Sequence, residues 1–347
     1  MEKDLFKKIK DILFTGEGIS FEEALEISQI EGVDLYTLFD LTNRIRKEFK
    51  GDEVGFCSII NAKSGLCPED CSFCSQSVHH ETNIEIHPLV DSSQILDAAL
   101  NAVGNGAREF SIVTSGKGLT GRKELEVIST SIREMKGKVP IERCASLGIM
   151  DKESLRLLKD SGLQSYHHNL ETARSFFPEV CTTHDYDEDV KAVRVAKELG
   201  FRVCCGGIFG LGESWEQRIE MAFTLRELDV DSIPINFLNP IKGTKMEGTN
   251  YLTPMECLKI IALYRCVHPK RDIFICGGRE VNLRDLQSMM FLAGANGTMV
   301  GNYLTTSGRP AEDDLTMIRD LGLGVNPVRK DGALTPPSLP AAGRNKE

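Results

Sequence analysis

The chain predicts an α/β fold, a (βα)8 TIM-type barrel preceded by an N-terminal helical extension. Three observations carry this. After Gly51, short apolar runs alternate with amphipathic stretches of the length a parallel crossover needs. The runs number eight, the strand count of a closed βα barrel. The unusual polar residues fall near the C-terminal ends of those runs or on faces able to point inward, where such barrels carry their chemistry.

The elements follow in order. Residues 1–50 read as helices: Phe6, Ile9 and Leu13 share one face, and Phe21, Ala24, Leu25 and Ile27 follow Ser20, an N-cap residue. A third helix, 35–49, ends before the Gly51-Asp52 turn signal. The eight strands are expected at 54–60, 109–114, 141–147, 165–170, 201–208, 232–238, 273–276 and 298–300. Helical periodicity fills 92–105, 123–136, 152–161 and 187–199, and a last helix lies near 311–321. This divides the chain into an extension (1–50), a barrel (51–326) and a tail (327–347) rich in Pro, Gly and Ala, expected to be disordered.

Length and charge narrow the function classes. At 347 residues and 41% hydrophobic content the chain suits one closed barrel. Lys+Arg 41 against Asp+Glu 51 gives −10, which argues against a general nucleic-acid surface. No run of 18 apolar residues is present, so no membrane span is expected, and the charged N-terminus has no apolar signal region. Eleven cysteines without a secretory signal point to a reducing cytoplasm.

The densest chemistry lies in SGLCPEDCSFCSQS, residues 64–77. Cys67, Cys71 and Cys74, at i, i+4 and i+7, suit three ligands of one 4Fe–4S cluster with one iron left open. The competing assignment is structural zinc, with His79 or His80 as fourth ligand. Phe73 stands between two of the thiols, as a flat wall for a ligand or as a core residue. The glycine-rich turn 206–213 permits close backbone approach, to a ligand or simply between strands. Cys144, Cys204 and Cys276 sit on the third, fifth and seventh predicted strands, and alternate strands share side-chain layers, so a second metal cluster in the lumen is expected. Cys205 is a rival ligand, although strand alternation points it away from Cys204. Cys57, Cys181, Cys257 and Cys266 lack this placement, and Cys257 and Cys266, in the helical run after Pro254, are assigned to packing.

The CxxxCxxC loop resembles the signature of radical S-adenosylmethionine (SAM) enzymes. CPEDCSFCSQS, SYHHNLET, VCCGGIFGLGE, IPINFLNPIKGT, CGGREVNLRDLQ and FLAGANGTMVGNYLTT together resemble the biotin synthase family, from about Gly55 to Asn326. That resemblance implies radical sulfur insertion into dethiobiotin, with Cys67, Cys71 and Cys74 holding the SAM-binding 4Fe–4S cluster. It places Phe73, Ser115, Glu171, His184 and Ile208 at SAM, and Asn169 and Asn236 at the substrate. An auxiliary iron–sulfur cluster is implied on Cys144, Cys204 and Arg279. The chain departs from the pattern at Ser111, where the family has a thiolate, so Cys276 is expected as the third thiol of either a 2Fe–2S cluster or a four-iron variant with an extra sulfide. His184 stands where many relatives carry an arginine toward the SAM carboxylate. A small electron donor of flavodoxin or ferredoxin type and a homodimer are also implied. The alternative is another radical SAM activity on the same barrel, hydrogenase-maturation-like or methylornithine-synthase-like.

Overall fold

Parallel strands close around a single lumen in the computed structural model, which describes residues 2–119 and 121–325. The barrel strands are β1 (Glu53–Lys63), β2 (Glu109–Thr114), β3 (Glu142–Ser146), β4 (Ser165–His167), β5 (Arg202–Cys204), β6 (Gly207–Phe209), β7 (Ser232–Phe237), β8 (Asp272–Ile275) and β9 (Gly297–Met299). Pairing of β1 with β9 shuts the barrel, and β10 (Gly324–Val325) adds to the start of β1.

The fifth barrel strand differs from expectation. Instead of one run over 201–208 it is two short pieces, β5 and β6, interrupted at Cys205 and Gly206. The neighbouring strand explains the break: Pro234 in β7 has no N–H for the ladder. A Cβ on Gly206 would lie 2.0 Å from the Pro234 carbonyl oxygen, so only glycine permits this approach. The Gly206 N–H instead donates to Asn169 Oδ1 at 3.2 Å. The fourth strand is shorter than the expected 165–170, but its backbone keeps pairing through His168 N–H to the Cys204 carbonyl and Leu170 N–H to the Gly206 carbonyl.

Helices α1 (Glu2–Thr15), α2 (Phe21–Ser28) and α3 (Asp34–Lys50) precede the barrel. Ser20 closes a capping box with Glu23, as its sequence position predicts. Ile9, Leu13, Leu38 and Ile45 are fully buried. The last residue of α3, Lys50, pairs with Asp272 at the start of β8 (3.0 Å), so the extension meets the N-terminal end of the barrel. The outer layer is α4 (Ser92–Gly104), α5 (Arg122–Lys138), α6 (Lys152–Ser161), α7 (Phe177–Val180), α8 (Tyr186–Glu198), α9 (Trp215–Glu227), α10 (Pro254–Val267), α11 (Arg279–Leu283), α12 (Met289–Leu292) and α13 (Ala311–Asp320). Cys257 and Cys266 are buried in α10, as packing residues.

Beneath the lumen lies an ionic floor. Arg202 donates to Glu109 (2.9 Å), Glu142 (3.2 Å) and Asp272 (2.8 Å), tying β5 to β2, β3 and β8. Among the described residues no helix is long and apolar enough to cross a membrane. The tail predicted over 327–347 lies outside the described residues.

Candidate active site in the barrel lumen

Strand alternation sends Cys57, Ser111, His167, Cys204 and Ser232 inward, and with the cysteine loop and residues 303–306 they enclose a cavity of about 300 Å³. Its mouth is built from the loop after β1. Cys67 N–H donates to the Gln76 carbonyl (2.9 Å) and Val78 N–H to the Cys67 carbonyl (2.9 Å), which folds the loop back on itself. Ser75 Oγ meets Thr305 Oγ1 at 2.9 Å, joining the loop to the C-terminal segment across the mouth.

The loop thiols sit in one electrostatic neighbourhood. Cys74 is raised to about 11, chiefly by burial and partly by the charge of Cys67. Cys71 is raised, first by its hydrogen bond to Cys181 and then by burial. Each histidine offered for zinc engages one ring nitrogen with a backbone carbonyl, His79 Nε2 with Pro68 (3.0 Å) and His80 Nδ1 with Cys74 (2.8 Å), while His80 Nε2 has no partner among the described residues. Among the described residues neither histidine joins the loop thiols in a group of three ligand atoms within 4.8 Å of one another. A three-thiol loop fits a cubane with one open iron better than four-coordinate zinc.

Above the thiols, Phe73 and Ile208 pack on one apolar patch with Val180, Leu211 and Leu238 and both face the cavity. Asn169 and Asn236 also line it. Asn169 Nδ2 reaches Glu171 Oε2 (3.4 Å), and Asn236 Oδ1 accepts from Gly277 N–H (2.9 Å) while its Nδ2 donates to the Gly207 carbonyl (3.2 Å). Burial raises Glu171 to about 8, with the charge of Asp189 adding to the effect. Ser115 spends its hydroxyl on the Gly65 carbonyl (2.7 Å), so it supports the cysteine loop and does not face the cavity.

Two expected site residues are engaged elsewhere. His184, expected at the SAM carboxylate, has both ring nitrogens taken: Nδ1 by Glu69 and by Cys181 Sγ (3.3 Å), Nε2 by Asp189 (3.2 Å). Asp189 first, then Cys181, raise it to about 11, so its charge does not change near neutrality and neutralises two carboxylates instead. Arg279, expected at the auxiliary cluster, is buried outside the cavity and grips Asp314 with both terminal nitrogens (3.0 and 2.6 Å) and Gln287 with one of them (2.8 Å). A carboxylate matches a guanidinium fork in charge and geometry, and this pair occupies both terminal nitrogens of Arg279.

Deeper in the lumen, Cys204 and Cys276 line the cavity. Cys144 lies behind Glu109 and His167, their ligand atoms all within 4.8 Å of one another. Burial raises Cys144 and Cys204, so both stay protonated until a metal displaces the proton. Cys205 faces away from the lumen into the surrounding core, which removes it as a rival ligand. Around the inward thiols, Ser111 Oγ, Ser165 Oγ, Ser232 Oγ and His167 Nε2 find no hydrogen-bond partner among the described residues. Buried polar atoms are seldom left so. Thiolates ringed by orphaned donors are the donor set that an iron–sulfur cluster with hydrogen-bonded sulfides requires. Cys57, set aside by its strand placement in the sequence, lines the same cavity as Cys204 and Cys276.

A family profile described as "Radical SAM superfamily" matches residues 63–225, and one described as "Biotin and Thiamin Synthesis associated domain" matches 234–324. Biotin synthase of Geobacter sulfurreducens is 58% identical over 313 residues, covering 90% of this chain and 95% of that one. Biotin synthase of Geotalea uraniireducens is 57% identical over 311 residues, covering 90% and 94%. Among solved structures, methylornithine synthase superposes with a TM-score of 0.80 at 20% identity, covering 91% of this chain and 97% of that one. The FeFe-hydrogenase maturase from Carboxydothermus hydrogenoformans gives 0.78 at 17%, covering 92% and 79%. At such identities these two structures establish a shared barrel and nothing about substrate. The sequence relatives and the cysteine loop are what identify the chain, which belongs to the biotin synthase family of the radical SAM superfamily.

Proposed function

We propose that this chain inserts sulfur into dethiobiotin to form biotin, with Cys67, Cys71 and Cys74 holding the SAM-binding 4Fe–4S cluster. Cys144, Cys204 and Cys276 then hold an auxiliary iron–sulfur cluster as the sulfur source. The observation that carries the reading is the set of groups that line one cavity: Cys74 of the loop thiols, the apolar Phe73 and Ile208, the amides of Asn169 and Asn236, and the inward thiols Cys204 and Cys276. When bound, the mouth cluster and SAM supply a radical able to take hydrogen from unactivated carbon, and the deep cluster supplies sulfide. The protein's part is positional.

Phe73 and Ile208 offer a dry surface for the adenine. Asn169 and Asn236 each keep hydrogen-bonding capacity beyond their protein contacts, and a urea ring presents two N–H donors and one carbonyl for them. Glu171, raised to about 8 by burial, retains a proton at neutral pH with which to meet a ribose hydroxyl. The segment 303–306 and the cysteine loop cover the mouth and limit access of water. The same reading brings a small flavodoxin- or ferredoxin-type electron donor, a cytoplasmic setting and a homodimer.

The test is an anaerobic assay with SAM, dethiobiotin and a strong reductant. The expected products are 5′-deoxyadenosine, methionine and biotin. Cleavage of SAM without biotin rejects the substrate, and no cleavage rejects the radical chemistry. Iron analysis separates the two auxiliary forms: a four-iron cluster beside the loop cubane gives about eight irons per chain, a 2Fe–2S cluster about six.

A further inference from the structure

We infer that Cys57 is a ligand of the lumen cluster, supplying from β1 the thiolate that Ser111 cannot supply from β2. The inference rests on the proposal that the lumen binds an iron–sulfur cluster, and concerns which thiols hold it.

Strand register provides the first argument. In an eight-stranded barrel with a shear of about eight, positions at one level climb about one residue per strand. Two strands along therefore means two residues up. Cys57 pairs with Glu109 on β2, and Glu109 with Glu142 on β3. Two residues beyond Glu142 is Cys144. Cys144 pairs with Ser165 on β4, and Ser165 with Arg202 on β5. Two residues beyond Arg202 is Cys204. From Cys204 the same step, through Ser232 to Asp272, ends on Phe274 of β8. Cys57, Cys144 and Cys204 thus occupy one layer with Phe274 as its fourth member, and Cys276 is the next inward position above Phe274.

The second argument is placement in one cavity. Cys57 is half-buried and lines the cavity together with Cys276. Ser111 lies beside this pair: it is the next inward residue on β2 after Glu109, the register partner of Cys57. Its hydroxyl finds no partner among the described residues. A thiol lost from β2 is compensated by one on the adjacent strand, at the edge of the same space. Arg279, bound to Asp314 outside the cavity, leaves that role unfilled.

The test uses the full chain with Cys67, Cys71 and Cys74 all changed to Ala, so that only the lumen holds a cluster. It is reconstituted anaerobically with ferrous iron and sulfide, and iron, acid-labile sulfide and the Mössbauer spectrum are measured. Adding Cys57→Ala is expected to remove most of the bound iron, as Cys144→Ala does and Cys266→Ala does not. Cys57→Ser is expected to retain iron with an altered spectrum. Because a variant can fail to fold, iodoacetamide labelling of the unaltered chain gives an independent readout: Cys57 is protected when the chain is loaded and labelled after the metal is stripped. Unchanged iron and spectrum in Cys57→Ala, or equal labelling of Cys57 before and after stripping, overturns the role of Cys57 while the lumen cluster stands. A triple variant that binds no iron overturns the lumen cluster itself, and the role of Cys57 with it.

Discussion

Arg279 and Arg202 are both engaged with carboxylates. Arg279 and Asp314 are 1% and 0% exposed at their side chains and form a two-point pair, and Arg202 holds three carboxylates below the thiols. Breaking a buried pair leaves a stranded charge, at a cost of about 3–5 kcal/mol. Arg279→Met is therefore expected to lower the urea midpoint in proportion, while the iron content of the variant that still folds matches the parent. Loss of the deep cluster at unchanged stability would return Arg279 to the ligand set. At this scale the sequence was legible where a residue's chemistry is exclusive. Cys67, Cys71 and Cys74 were readable because thiols at that spacing have few other uses. Arg279 and His184 have partners that the motifs containing them do not show: Asp314 lies 35 residues on, and His184 meets Glu69 of the cysteine loop as well as Asp189.

Elements transmit position to those residues. The interruption between β5 and β6 lets the backbone of Gly206 approach the Pro234 carbonyl and places Cys204 and Ile208 on either side of the gap. Gly206→Ala puts a methyl 2.0 Å from that oxygen, so one strand must move. The expected cost is about 1–3 kcal/mol, of the size found for overpacked cores. The sharper readout is weaker incorporation of the lumen cluster, measured as iron per chain in the loop-thiol triple variant. Normal stability and normal iron together would show that the glycine is dispensable. Periodicity located these strands because an inward and an outward face are a local property. It missed the break, since that depends on a proline in the next strand. The layer rule applied to Cys144, Cys204 and Cys276 also covers the first strand; its even-handed use finds Cys57.

For the whole molecule, acid is the informative stress. His268, at the end of α10, is buried and lowered to about 3, chiefly by that burial. The unfolded chain takes up its proton near the ordinary 6.5, the folded chain only near 3. Between these values the unfolded state binds more protons, so the contribution of this group to stability is present above 6.5 and is lost as pH falls toward 3. The slope is at most about 1.4 kcal/mol per pH unit for one proton. His268→Gln is expected to flatten the pH dependence of unfolding in that window, followed by urea titration of the cluster-free chain. An unaltered slope would assign the acid sensitivity to other groups, His167 in the lumen included, which burial lowers to about 4.

By itself the sequence determined the barrel, the helical extension and the spacing of the loop thiols, because each is written locally: alternation for strands, a capping box for α2, cysteines at i, i+4 and i+7 in the loop. Only the tertiary structure decided which thiols share a layer, which cations are already spent on carboxylates, and that Cys57 faces the lumen. The physical reason is that closing the barrel with a fixed shear converts sequence positions into heights around a ring, and no stretch of the chain specifies that conversion until β1 meets β9.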